Sequence, residues 1–101
     1  MNNKLSRAKV ERLALLIEEC AEVQKVACKI LRHGYDSYNP DDIDSDTNKG
    51  ELEKELGHLE YAIELIISAK DISITQIAES QGMKRRTIKQ YLHCRENKRN
   101  E

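Results

Sequence analysis

The chain has no tryptophan and no phenylalanine, and its only aromatic residues are four tyrosines. An all-β core leans on aromatic and β-branched side chains, so this scarcity argues against a sandwich or barrel. One proline and four glycines in 101 residues leave few obligatory breaks, which suits long helices. The longest apolar run covers only residues 13–17, far short of the ~20 residues that span a bilayer. Residues 1–12 lack the apolar stretch of a signal peptide. Three cysteines (Cys20, Cys28 and Cys94) show no metal or redox spacing, which points to reduced thiols in a cytoplasmic protein.

What is abundant is charge. Asp, Glu, Lys and Arg make up 35% of the chain, yet the net charge is only −1. Five aspartates fall within residues 36–46, and seven basic residues fall within 84–99. A basic end of this kind can meet phosphates, whether of a nucleotide or of nucleic acid.

Periodicity predicts an all-α fold in a single domain over 1–101, arranged as a small antiparallel bundle. Helices are expected over about 5–33, 49–70 and 73–94, with an Asp-rich loop at 34–48. Asn3 or Ser6 can cap the first helix, and Gly34 stops it. Leu13, Leu16, Ile17, Cys20, Val23, Ala27 and Leu31 recur on it. Ala14, Leu15, Ala21, Val26, Cys28 and Ile30 widen that stripe beyond what one buried face needs. Such a helix is either central in its domain or buried by a partner chain. In the second helix, Leu52, Leu56, Leu59, Ile63 and Ile66 form an apolar seam, and Glu55 and His58 lie off it.

The carboxylates carry the chemistry. Glu19 and Glu22 are three residues apart on the first helix, and Glu18 and Glu22 are four apart, so both pairs adjoin. Like charges set amid apolar residues are costly without a compensating cation. Mg²⁺ takes oxygen ligands and keeps waters or substrate phosphates in its shell. Glu55 and His58, also three apart, form a matching half if the two helices pack antiparallel. The bland alternative is that such pairs are solvated surface charge, which is the reading adopted for Glu51, Glu53, Glu60 and Glu64.

Four stretches bear a family resemblance. They are Leu16-Ile17-Glu18-Glu19-Cys20-Ala21-Glu22-Val23, Lys29-Ile30-Leu31-Arg32-His33-Gly34, Asn48-Lys49-Gly50-Glu51-Leu52-Glu53-Lys54-Glu55-Leu56-Gly57-His58 and, loosely, Lys89-Gln90-Tyr91-Leu92-His93. Together they resemble the MazG-like all-α nucleoside triphosphate pyrophosphohydrolases, in particular small, often phage-encoded members. The family pattern is ExxE on one helix and ExxD on the next. The resemblance implies metal-dependent hydrolysis of a (d)NTP to the monophosphate and pyrophosphate. It implies Mg²⁺, or else Mn²⁺, held by Glu19, Glu22, Glu55 and His58, with Glu18 and Glu19 as catalytic carboxylates. Nucleotide contacts would come from Lys29, Arg32, Asn48 and Lys84. The assembly would be a homodimer or tetramer with no membrane contact.

His58 departs from the family, which has Asp there. Imidazole suits Mn²⁺, Zn²⁺ or Co²⁺ better than Mg²⁺. It marks a changed metal preference, an acid or base beside the metal, or a catalytically impaired relative that still binds nucleotide or metal. A rival reading concerns residues 74–92, where Ala78, Gly82 and the Lys84-Arg85-Arg86 run resemble a helix-turn-helix DNA reader. Against it stands a single amphipathic helix closing the bundle, with Gly82 as a kink or break, the preferred reading, so nucleic acid is not expected as a partner.

Overall fold

The computed structural model describes residues 4–42 and 44–93. Asn3, Cys94 and the end of the expected third helix lie outside the described residues. Among those described there are three α-helices, α1 (Arg7–His33), α2 (Asn48–Ser68) and α3 (Ile74–Thr87), then one 3₁₀ turn, and no strand. Among the described residues, no helix is long and apolar enough to cross a membrane. The chain divides into two compact units, residues 1–71 and residues 72–101.

The first unit is an antiparallel pair of helices. Strong helix formers (Ala, Leu, Glu, Lys, Arg) fill α1. The Ser6 hydroxyl accepts from the Lys9 N–H at 3.2 Å and starts it. Gly34, at φ 88°, ends it in a conformation that a side chain disfavours, and its N–H reaches Ile30 O at 2.7 Å. Thr47 caps α2 through the Gly50 N–H at 3.2 Å. The intervening segment is fastened to the start of α2. Asn48 N–H donates to Ser37 O and Lys49 N–H to Tyr35 O, both at 2.9 Å. Asn48 Nδ2 adds a bond to Gly34 O at 3.0 Å.

Val26, Ala62 and Ile66 are buried between α1 and α2, with Leu15, Leu16, Val23, Leu59 and Ile63 half-buried around them. The α2 face that meets α1 therefore includes Glu55, Leu59, Ala62 and Ile66. It is rotated from the expected seam, leaving Leu56 exposed and bringing Glu55 onto the interface rather than off it. Small Ala62, invisible to a search for large apolar residues, is buried at 1% exposure.

The hairpin is clamped at both ends. Arg12 donates to Asp71 from Nε at 2.7 Å and from a terminal nitrogen at 3.2 Å, joining residues 59 apart. Lys29 Nζ meets Glu51 Oε2 at 2.8 Å near the other end. Asp71 is placed by the end of α2. Lys70 turns into the left-handed region (φ 63°), its N–H reaches Ile67 O at 2.9 Å, and the Asp71 N–H reaches Ile66 O at 3.1 Å. This is the Schellman pattern with lysine where glycine is usual.

In the second unit, Ser73 caps α3 through the Gln76 N–H at 3.3 Å. The helix runs unbroken through Gly82, so the turn a helix-turn-helix requires is absent there. The expected continuous helix to 94 instead tightens into the 3₁₀ turn Ile88–Gln90, where the Thr87 hydroxyl bonds back to Met83 O at 3.2 Å. No described residue from 72 to 93 is buried.

The Arg12 hydrogen bonds, aided by its charge and opposed by burial, hold the Asp71 carboxyl below the usual carboxylate range, while Asp71 raises the guanidinium. A depressed carboxyl contributes stability that is complete above the unfolded value, about 3.9, and fades as pH falls through the lower folded value. Asp71→Asn should lower the melting temperature at neutral pH. Its deficit should stay constant down to about pH 5 and narrow below about pH 4. Thermal melts of both proteins across this range check it, and a deficit unchanged at low pH would detach it from the Arg12 pair.

Candidate metal centre

Where α1 crosses the middle of α2, three ligand-type side chains meet. Glu19 comes from α1, and Glu55 and His58 come from adjoining positions on α2. One donor atom from each lies within 4.8 Å of the others. His58 Nδ1 is 3.5 Å from Glu55 Oε2 and 3.7 Å from Glu19 Oε2. Both carboxylates are largely covered, their side chains 15% and 13% exposed, while His58 opens to solvent.

The electrostatics are unbalanced. Glu19 Oε2 is buried and accepts no hydrogen bond. At 3.7 Å the imidazole is too far to supply one. Lys54 Nζ, 3.9 Å from Glu55 Oε1, is an exposed neighbour whose charge is screened by water. Two carboxylates are thus held together in a partly dry interface with an orphaned oxygen between them, an arrangement that a cation relieves. Two oxygens and one imidazole nitrogen fit Mn²⁺, Co²⁺ or Zn²⁺ more naturally than Mg²⁺.

The remaining expected residues are distributed differently. Glu22 is half-buried on the same side of α1 and stands outside the cluster, whereas Glu18 is exposed. Lys29 is engaged with Glu51. Asn48 is buried and holds the loop. Arg32 is exposed. Lys84 belongs to the second unit, where its Nζ lies 5.1 Å from the centre of the Tyr91 ring.

Sequence reasoning treated Glu51 as ordinary surface charge. It is half-buried, pairs with Lys29 and lines a cleft beside the loop. The available signal was its position, one turn before Glu55 on the same face of α2. Arg12 and Asp71 carried no local signal, because 59 residues separate them.

No protein-family model matches the chain, and no curated protein or solved structure is significantly similar to it. The functional reading therefore rests on these residues.

Removing the Glu19 charge should relax the interface. In chelator, Glu19→Gln is expected to melt at a higher temperature than wild type, because like-charge crowding is lost. Added Mn²⁺ should raise the wild-type melting temperature, leave Glu19→Gln unmoved, and still raise that of Glu22→Gln. Equal Mn²⁺ responses in all three proteins would dissociate the ion from Glu19.

Proposed function

We propose that the protein is a metal-dependent nucleotide pyrophosphohydrolase of the MazG-like type, cleaving a (d)NTP between its α and β phosphates. The observation that carries this reading is the buried, unpartnered Glu19 oxygen facing Glu55 and His58. The motif resemblance supports it, because Glu19, Glu55 and His58 are three of the four positions, with Glu22 the fourth, that the resemblance assigns to the metal.

Glu19, Glu55 and His58 would hold the ion, with Mn²⁺ the better match to the donor set and Mg²⁺ the alternative. When bound, such an ion neutralises phosphate charge and lowers the pKa of a coordinated water. Glu22 is half-buried one turn along α1, better placed than exposed Glu18 to orient the attacking water and accept its proton. Water adds at the α phosphorus, the bond from that phosphorus to the bridging oxygen breaks, and pyrophosphate leaves with the electron pair.

The assay is a panel of (d)NTPs with Mn²⁺ or Mg²⁺, followed by pyrophosphate release and monophosphate formation. Expected are higher rates with Mn²⁺ and a loss of about 100-fold or more in Glu55→Gln. Nucleotide binding without product in either metal would move the protein to a non-catalytic binding role.

We further propose a homo-oligomer formed through α1. Val10, Leu13, Ile17, Cys20, Gln24, Ala27 and Leu31 are spaced by alternating threes and fours, a heptad seam on the face opposite Val26. Its large members are uncovered, with Ile17 69% and Leu31 87% exposed. Three buried apolar residues among those described make a thin core for a domain this size. Sedimentation should find wild type as a dimer or tetramer and Ile17→Glu as a smaller species. A monomeric wild type at micromolar concentration would refute this.

A further inference from the structure

The cleft beside the loop takes no part in the chemistry above. It measures about 260 Å³ and is walled by Lys29 and His33 from α1, Tyr38 and Asp46 from the connecting segment, and Asn48 and Glu51 from α2. Ligand clefts usually run from about 300 Å³ upward. This one therefore suits a base or sugar rather than a whole nucleotide.

Its charges argue against a phosphate. Lys29, its one lysine, is already neutralised by Glu51 at 2.8 Å. The N–H groups that open α2 are committed, Asn48 to Ser37 O, Gly50 to the Thr47 hydroxyl and Glu51 to Thr47 O. Asp46 adds a second carboxylate, steadied because one of its oxygens accepts the Thr47 N–H at 2.8 Å. A side chain at position 50 would collide with that carboxylate, so Gly50 preserves its place. What the cleft offers is acceptor oxygens together with the exposed Tyr38 ring. A flat group bearing hydrogen-bond donors meets that description.

Position supplies the second argument. Glu51 at the cleft and Glu55 at the metal centre share one face of α2, about 6 Å apart along its axis. That is a short step, of the kind that separates a nucleotide's phosphates from its base.

We infer that this cleft holds the nucleoside part of the nucleotide whose phosphates meet Glu19, Glu55 and His58, an inference that rests on the pyrophosphohydrolase reading. Tyr38 stacks on the base. Asp46 and Glu51 accept from sugar hydroxyls or from the exocyclic amino group of adenine, guanine or cytosine. Lys29 and Asn48 then serve the nucleoside end rather than the phosphates.

The test is calorimetric binding to the full chain in Mn²⁺, comparing α,β-methylene ATP, which resists cleavage, with inorganic triphosphate. Wild type should bind the nucleotide at least about tenfold more tightly, the worth of one stacked base. Tyr38→Ala should erase most of that advantage and leave triphosphate binding unchanged, and Tyr38→Phe should retain it. If triphosphate binds but Tyr38→Ala keeps the full nucleotide advantage, the cleft is not the nucleoside site and the pyrophosphohydrolase reading stands. If neither ligand binds, both fall.

Discussion

The register of α1 against α2 decides everything that follows in this protein. Each residue of a helix advances the side chain by about 100°, so a slip of one position would carry Glu19 away from Glu55. Apolar contact alone holds register weakly here, because among the described residues the buried apolar ones are Val26, Ala62 and Ile66. Two ion pairs pin it instead, Arg12 with Asp71 at one end and Lys29 with Glu51 toward the other. The Arg12 contact is two-pronged and half-buried, which adds direction to attraction. The carboxylates at mid-hairpin meet because the ends are fixed.

That arrangement carries local costs. A left-handed lysine costs roughly 1 kcal/mol relative to glycine. The strained Lys70 turn, however, is what folds the chain back so that Asp71 faces Arg12. The Glu19 oxygen is the second cost, an acceptor without a donor in a partly dry interface. Places where a fold breaks its own rules tend to be sites or their supports. Both departures here bear on one feature, the first by setting the helix register and the second by lying at the cluster itself.

Much of the architecture was written in local pattern. Three helices, the stop at Gly34 and the long segment before α2 follow from caps, glycine and period. So does the pairing of Glu55 with His58, since residues three apart on a helix adjoin. What local pattern misplaced was the facing of α2. Large apolar residues drew the seam through Leu56, which is exposed, whereas Leu52, Leu59, Ile63 and Ile66 are covered together with Ala62 and Glu55. The same rotation turned Glu51 from presumed surface charge into a partner of Lys29. Long-range pairs such as Arg12 with Asp71 were illegible for a simpler reason, since charge complementarity over 59 residues has many equally good solutions until a fold selects one. The resemblance groups Glu22 with Glu19, Glu55 and His58, whereas Glu22 and Glu18 stand apart from the cluster that Glu19 joins.

The two apolar faces of α1 complete the argument. One packs on α2 and carries Glu19. The other, marked by Ile17 and Leu31, is uncovered. Ile17 and Glu19 are two residues apart, hence about 200° around the helix and nearly opposed. A second copy seated on the uncovered seam would therefore add core without approaching the cluster or the cleft beside the loop. Stability would come from one side of the helix and chemistry from the other. A thin core and a crowded pair of carboxylates are compatible in such a chain, because the face left to supply further burial is not the face that carries Glu19.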